Sequence, residues 1–91
     1  MSDLEHRFRD AADRVQHLDR RPDNRTLLEL YGLFKQATAG DASGARPGLL
    51  DPAGRAKFDA WSARKGTDRE RAREEYIALV ERLEAGQSPS D

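Results

Sequence analysis

The chain has 91 residues, 36% apolar and 36% charged, with 16 Lys and Arg against 17 Asp and Glu for a net charge of −1. That length holds one domain with one core, and so small a net charge gives no bulk attraction to nucleic acid or to a membrane surface, so an anion has to be met by a local cluster of cations. The absence of cysteine excludes disulfides, thiol catalysis and cysteine-based zinc sites, and it fits a reducing compartment.

A first helix is expected over residues 3–20. Ser2 and Glu5 form a capping box, and Leu4, Phe8, Ala11, Ala12, Val15 and Leu18 fall on one stripe at spacings of three and four before Pro22 stops the run. A second helix runs from Asn24 to Ala39, with Asp23 or Asn24 as its cap and Gly40 as its stop. Leu27, Leu30, Phe34 and Ala37 form its stripe. Leu28, Tyr31 and Lys35 share the flank of that stripe at 100° per residue.

A third helix starts at Asp51-Pro52, a cap followed by proline at the first helical position, and runs to Lys65-Gly66. Lys57, Phe58, Trp61 and Lys65 lie within one arc of its surface, with Trp61 expected in the core. The fourth opens on the capping box Thr67-Asp68-Arg69-Glu70 and turns Ala72, Tyr76, Leu79, Val80 and Leu83 to one face before Gly86. Residues 1–86 are thus read as the domain, and 87–91 as a disordered tail. One isoleucine and two valines, against many Ala, Leu, Arg and Glu, agree with an all-helical fold.

The connection from Gly40 to Leu50 exceeds the two to eight residues usual between helices. The helix before it is about 24 Å long, and an extended segment of this size crosses that distance at about 3.3 Å per residue. Helices two and three are therefore free to run parallel, joined by an overhand loop, which leaves a cleft open. Within that loop Arg46 is expected to pair with Asp51 or Asp41. No run approaches the roughly 18 apolar residues of a membrane span, and the acidic opening Met1-Ser2-Asp3-Leu4-Glu5 lacks the apolar core of a secretory signal. A cytoplasmic location is expected.

Tyr31 and Lys35 stand one turn apart. From this helix alone the plainer reading is favoured, with Tyr31 at the core edge and Lys35 in solvent. The other reading has the phenol and the ammonium both donating to a phosphate. His6 and His17 return to the same helix face but roughly 16 Å apart, too far to share a metal, and both are read as surface residues. The carboxylates and arginines of the last helix read as a solvated face with i,i+4 pairs. No Ser-His-Asp set, phosphate loop or metal-ligand spacing is present, so no residue is assigned to catalysis and no cofactor is expected.

The ordered set Phe8-x-x-Ala11-Ala12-x-x-Val15, Arg21-Pro22, Leu30-Tyr31-x-x-Phe34-Lys35-Gln36-Ala37-Thr38-x-Gly40-Asp41, Arg46-Pro47-Gly48, Asp51, Gly54-x-Ala56-Lys57-Phe58-Asp59-Ala60-Trp61, Lys65-Gly66 and Tyr76-Ile77-x-x-Val80-Glu81 resembles the acyl-CoA-binding protein family. The resemblance covers about Phe8 to Leu83. It implies an all-α, four-helix up-down-down-up bundle with the overhand loop between helices two and three. It also implies a non-catalytic monomer that binds, buffers and carries long-chain fatty acyl-CoA, with transient contact to the enzymes that use it.

By the same resemblance Tyr31, Lys35 and Lys57 hold the 3′-phosphate of the adenosine, Phe34 packs on adenine, and Tyr76 lines the site. Arg21, Leu28 and Gln16 are further candidates. Three positions depart from the family's common pattern: Phe34 where Tyr is usual, Phe58 where Trp is common, and Gln16 where a Lys is frequent. These bear on affinity more than on function. The rival reading is a helical protein–protein interaction module that uses the same cleft.

Overall fold

Four α-helices occur among the described residues: α1 Asp3–Arg14, α2 Asn24–Ala39, α3 Pro52–Ser62 and α4 Arg69–Glu84. The computed structural model describes residues 2–86, and the expected tail, 87–91, lies outside the described residues. Each helix opens on a side-chain cap. Ser2 accepts from the Glu5 amide at 3.1 Å, Asp23 from Thr26 at 2.8 Å, Asp51 from Gly54 at 3.0 Å and Asp68 from Arg71 at 2.7 Å. Such caps contribute about 1 kcal/mol each.

Three boundaries differ from the sequence expectation. The first helix ends at Arg14, passes through a 3₁₀ turn at Val15–His17 and becomes extended at Leu18, well before residue 20. Val15 and Leu18 continue the apolar spacing, but they do so off the helix. The third helix ends at Ser62, and turns carry the chain to Gly66, so Lys65 leaves the arc it was expected to share with Trp61. The fourth is capped by Asp68 instead of Thr67. Thr67 is engaged elsewhere: its amide donates to the Arg64 carbonyl and its own carbonyl accepts from Gln36 at 2.7 Å.

The core is built from three helices. Phe8 and Ala11 of α1, Leu30, Leu33 and Ala37 of α2, and Ala72, Tyr76, Ile77, Leu79 and Val80 of α4 are buried together. On α2 the buried stripe takes Leu33, while Phe34 stays 38% exposed. Ile77 joins the α4 face. Among the described residues none of α3 is buried, and that helix packs against α2. Trp61 is half-buried and not core, because its indole N–H reaches the Gly40 carbonyl at 2.7 Å.

Residue pairings give the direction of each helix. Phe8 meets Tyr76 and Arg14 meets Glu84, so α1 and α4 run parallel. Phe34 meets Tyr76 while Gln36 meets Thr67, so α2 is antiparallel to α4. Tyr31 meets Lys57 and Lys35 meets Trp61, so α3 runs parallel to α2. The result is up, down, down, up, with the 40–51 connection as the overhand loop. In that loop Arg46 pairs with Asp59 of α3 at 2.7 Å, not with Asp41 or Asp51. Asp51 is occupied as a cap, and Asp41 accepts from the Gly66 amide at 2.9 Å and from Gln36 at 2.8 Å.

Gly32 lets α2 and α3 touch. A Cβ there would overlap the Ala60 carbonyl oxygen and come within 2.9 Å of its carbon, against backbone that has no side chain to swing away. Alanine is otherwise the better helix former by about 1 kcal/mol. Gly32→Ala is nevertheless expected to lose about 1–3 kcal/mol in urea unfolding. Gly48→Ala is the control: an added Cβ there meets nothing within 4 Å, and its stability should stay within about 0.5 kcal/mol of the parent. A stabilised Gly32→Ala protein would mean that α3 does not press on α2 at this point.

Candidate ligand-binding site

The end of α1, the extended segment after it and the near face of α2 enclose a cleft of about 660 Å³, within the range of small-molecule sites. Its apolar wall is Val15, Leu18, Leu27 and Leu30, and Tyr31, Phe34 and Tyr76 close it toward the core. The early end of α1 builds this wall. Had the helix continued to residue 20, Val15 and Leu18 would lie on a regular face instead of along an open groove.

Three rings form one cluster at the inner end. Phe8 stacks on Phe34 at 5.5 Å between centroids and meets Tyr76 edge-on at 5.1 Å, while Phe34 and Tyr76 lie 6.0 Å apart. Pairs of this kind contribute about 0.5–1.5 kcal/mol each beyond burial. Phe34 is thereby packed on one side and open to the cleft on the other. Tyr76 is only 4% exposed, and burial raises its phenol pKa above the usual tyrosine range, so it stays neutral.

Both lysines stand outside this cleft, on the side of α2 that faces α3. The Lys35 ammonium sits 4.7 Å from the centre of the Trp61 ring, and the Lys57 ammonium 5.7 Å from the centre of the Tyr31 ring. Each is a cation–π contact, about 0.5–1 kcal/mol at an exposed site. Tyr31 belongs to both regions: it lines the cleft and carries Lys57 against its ring.

Of the residues singled out from sequence, Tyr31, Phe34, Tyr76, Arg21 and Gln16 line the cleft. Lys57 reaches it through the Tyr31 ring, whereas Lys35 sits over Trp61, which does not line the cleft. Leu28 is half-buried and does not line the cleft, whereas its neighbour Leu27 does. Sequence reasoning also passed over Gln36. It is 1% exposed and donates to both Asp41 and Thr67, tying the end of α2 to the α3–α4 turn. A glutamine inside an apolar run, followed after five residues by an aspartate beyond the helix stop, was the available signal. His6 and His17 are exposed, as expected. Arg71 and Glu75 form an i,i+4 pair at 3.4 Å, while Glu84 crosses to Arg14 of α1 at 2.8 Å. No group of side chains able to hold a metal ion occurs among the described residues.

An apolar cleft with an aromatic floor, beside a helix pair that carries two ring-mounted ammonium groups, on a four-helix scaffold defines a small helical protein with adjoining apolar and cationic surfaces. The comparisons agree with that class. The family model for acyl-CoA-binding protein matches residues 5–80. An acyl-CoA-binding protein homolog of Manduca sexta is 54% identical over 81 residues, covering 88% of this chain and 90% of its own. A Drosophila melanogaster homolog is 50% identical over 78 residues, covering 86% and 91%. The crystal structure of Oryza sativa acyl-CoA-binding protein 2 superposes with a TM-score of 0.87 at 37% identity, covering 91% and 90%. The chain belongs to the acyl-CoA-binding protein family.

The Asp41 carboxylate braces the far end of the α2–α3 pair, and its pKa is held below the ordinary aspartate range, most by the Gly66 amide and next by Gln36. A folded pKa below the unfolded one gives stability that is complete above the unfolded value, about 3.9. That stability is lost as pH falls through the folded value. Asp41→Ala should therefore melt at a lower temperature than the parent at neutral pH, and the gap should close in acid. A gap that is the same at every pH would show that the charge of Asp41 contributes nothing.

Proposed function

We propose that this protein binds, buffers and carries long-chain fatty acyl-CoA without altering it. The observation that carries the reading is Tyr31, whose ring lines the apolar cleft and also carries the Lys57 ammonium, with Lys35 one helical turn further on over Trp61. An amphiphile with a phosphorylated head and an apolar tail needs those two surfaces side by side.

The 3′-phosphate sits at Lys35, Lys57 and the Tyr31 hydroxyl, which donate to it. Adenine lies on the open face of Phe34 with Tyr76 behind, and Arg21 meets the remaining phosphate charge, with Gln16 beside it. Val15, Leu18, Leu27 and Leu30 offer apolar surface to the chain, and Leu28 adds to it on the lysine side. Burial returns about 0.8 kcal/mol per methylene, so about ten methylenes contribute up to about 8 kcal/mol before ordering costs. Each charge-assisted phosphate contact contributes about 1.5–3 kcal/mol. The tail then sets most of the affinity, and the 3′-phosphate most of the selection for this head group. No residue is given a catalytic role, and the chemistry assigned to the site needs no cofactor. In this reading the protein works as a monomer in the cytoplasm and hands its ligand to acyl-CoA-using enzymes in passing encounters. Its cysteine-free composition is at home in a reducing compartment.

Calorimetric titration with palmitoyl-CoA, CoA and free palmitate tests the reading. Palmitoyl-CoA is expected to bind at least a hundredfold more tightly than CoA, since only a few buried methylenes supply that factor at about 0.8 kcal/mol each. Equal affinity for palmitoyl-CoA and CoA would sink the carrier reading and leave the cleft to a protein partner.

The lysine roles are tested with 3′-dephospho esters. Lys35→Ala and Lys57→Ala should each weaken the native ester by about 1.5–3 kcal/mol and the dephospho ester much less. Each should also cost the fold about 0.5–1 kcal/mol through its lost ring contact. Equal losses on both esters would mean that the lysines do not read the 3′-phosphate.

A further inference from the structure

Leu49 and Leu50 are not explained by the core or by the cleft. They are the two central residues of a turn in which the Asp51 amide donates to the Gly48 carbonyl at 3.0 Å. Leu49 is 82% exposed and Leu50 fully so. Turn centres are ordinarily filled by Gly, Pro, Asn, Asp and Ser, each for a conformational reason. Two adjacent leucines bring no such advantage, and they leave two large apolar side chains in water.

The tip is braced from behind. Arg55 donates to the Pro47 carbonyl at 3.4 Å, Arg46 makes two bonds to Asp59 at 2.7 and 2.9 Å, and Asp51 caps α3 directly after the turn. The leucines are thus presented on a fixed mount. Cations also outnumber carboxylates in the stretch of chain that holds them. Residues 42–66 carry Arg46, Arg55, Lys57, Arg64 and Lys65 against Asp51 and Asp59, a net +3 in a chain of net −1. The rest of the chain is correspondingly acidic.

We propose that the Leu49–Leu50 tip docks on an anionic lipid bilayer, with the two leucines in the interface and the basic α3 region facing the head groups. Neither signal holds a protein to a membrane alone, but an apolar insertion beside a basic patch does so reversibly. The acidic remainder is repelled by the same surface, which fixes the orientation. The contact is peripheral, since no helix among the described residues is long and apolar enough to cross a membrane. Docking does not depend on the ligand reading. If that reading holds, docking brings the open cleft to the place where a long-chain amphiphile accumulates.

Ligand-free protein is sedimented with sucrose-loaded vesicles of phosphatidylcholine, alone or mixed with phosphatidylserine. The protein should pellet with the mixed vesicles, not with phosphatidylcholine alone, and should be released at high salt. The double variant Leu49→Ser/Leu50→Ser should partition about ten- to hundredfold less while keeping its melting temperature, since neither side chain is packed. Parent protein that ignores the mixed vesicles, or a double variant that pellets like the parent, overturns the proposal. Sedimentation velocity adds a further outcome: self-association that the double variant abolishes would assign the leucines to a second copy of the chain and not to lipid. Because no acyl-CoA is present, failure here leaves the palmitoyl-CoA titration untouched, and failure there leaves this result standing.

Discussion

Gly32 fixes how near α3 comes to α2, and both ring-mounted lysines depend on that distance. The Ala60 carbonyl occupies the space where any other side chain would begin. At this separation Lys35 reaches Trp61, Lys57 reaches Tyr31, and the Trp61 indole reaches the Gly40 carbonyl. Gly40 itself has φ of 80°, a backbone setting open to glycine at little cost, and it points its carbonyl at the indole. Gly32 and Gly40 thus help to set how α2 and α3 lie together, although no residue of α3 is fully buried.

This produces an asymmetric molecule. The helices α1, α2 and α4 share the fully buried core, while α3, with Phe58, Ala60 and Trp61 only half-buried, adds to its packing on α2 a close backbone contact, one indole hydrogen bond and two cation–π contacts, and an ion pair to the loop before it. Those last contributions are about 0.5–1 kcal/mol for each cation–π contact and about 0–1 kcal/mol for an exposed pair. An element without a fully buried residue lies toward the low-stability end of a structure, where ligand-binding segments are drawn from. A phosphate shared between Lys35 and Lys57 would tie α3 to α2, so in the proposed reading ligand binding and the seating of α3 are one event. The Asp41–Gln36 bridge limits the movement, because it fastens the end of α2 to the turn that follows α3.

The scaffold was largely legible in the residues. Asp51-Pro52 marks the start of α3 and Gly40 the end of α2 because each relies on a local backbone constraint that no distant residue has to supply. The length of the 40–51 loop allowed parallel helices, and the pairings 31 with 57 and 35 with 61 follow that arrangement. What periodicity missed was set by tertiary demand. Val15 and Leu18 keep the helical spacing, yet they line a cleft wall off the helix. Thr67 has the pattern of a cap, but its carbonyl is taken by Gln36 from another helix, and capping passes to Asp68. Leu33 takes the buried place expected of Phe34, since a stripe of apolar residues does not say which edge faces the neighbour and which faces an opening.

The departures from the family pattern acquire meaning once they are placed. Gln16 lies on the cleft wall, and Arg21 is the cation that lines that wall among the described residues, with the carboxylate of Asp19 near it. A lysine at position 16 would double the positive charge on this side. Its absence leaves the α2–α3 pair as the denser cationic surface. Phe34 shifts recognition the same way, because a ring without a hydroxyl offers stacking and apolar area but no hydrogen bond. In the proposed reading, polar discrimination therefore falls on Tyr31, Lys35 and Lys57. All three are positioned by the close passage of two backbones at one residue without a side chain.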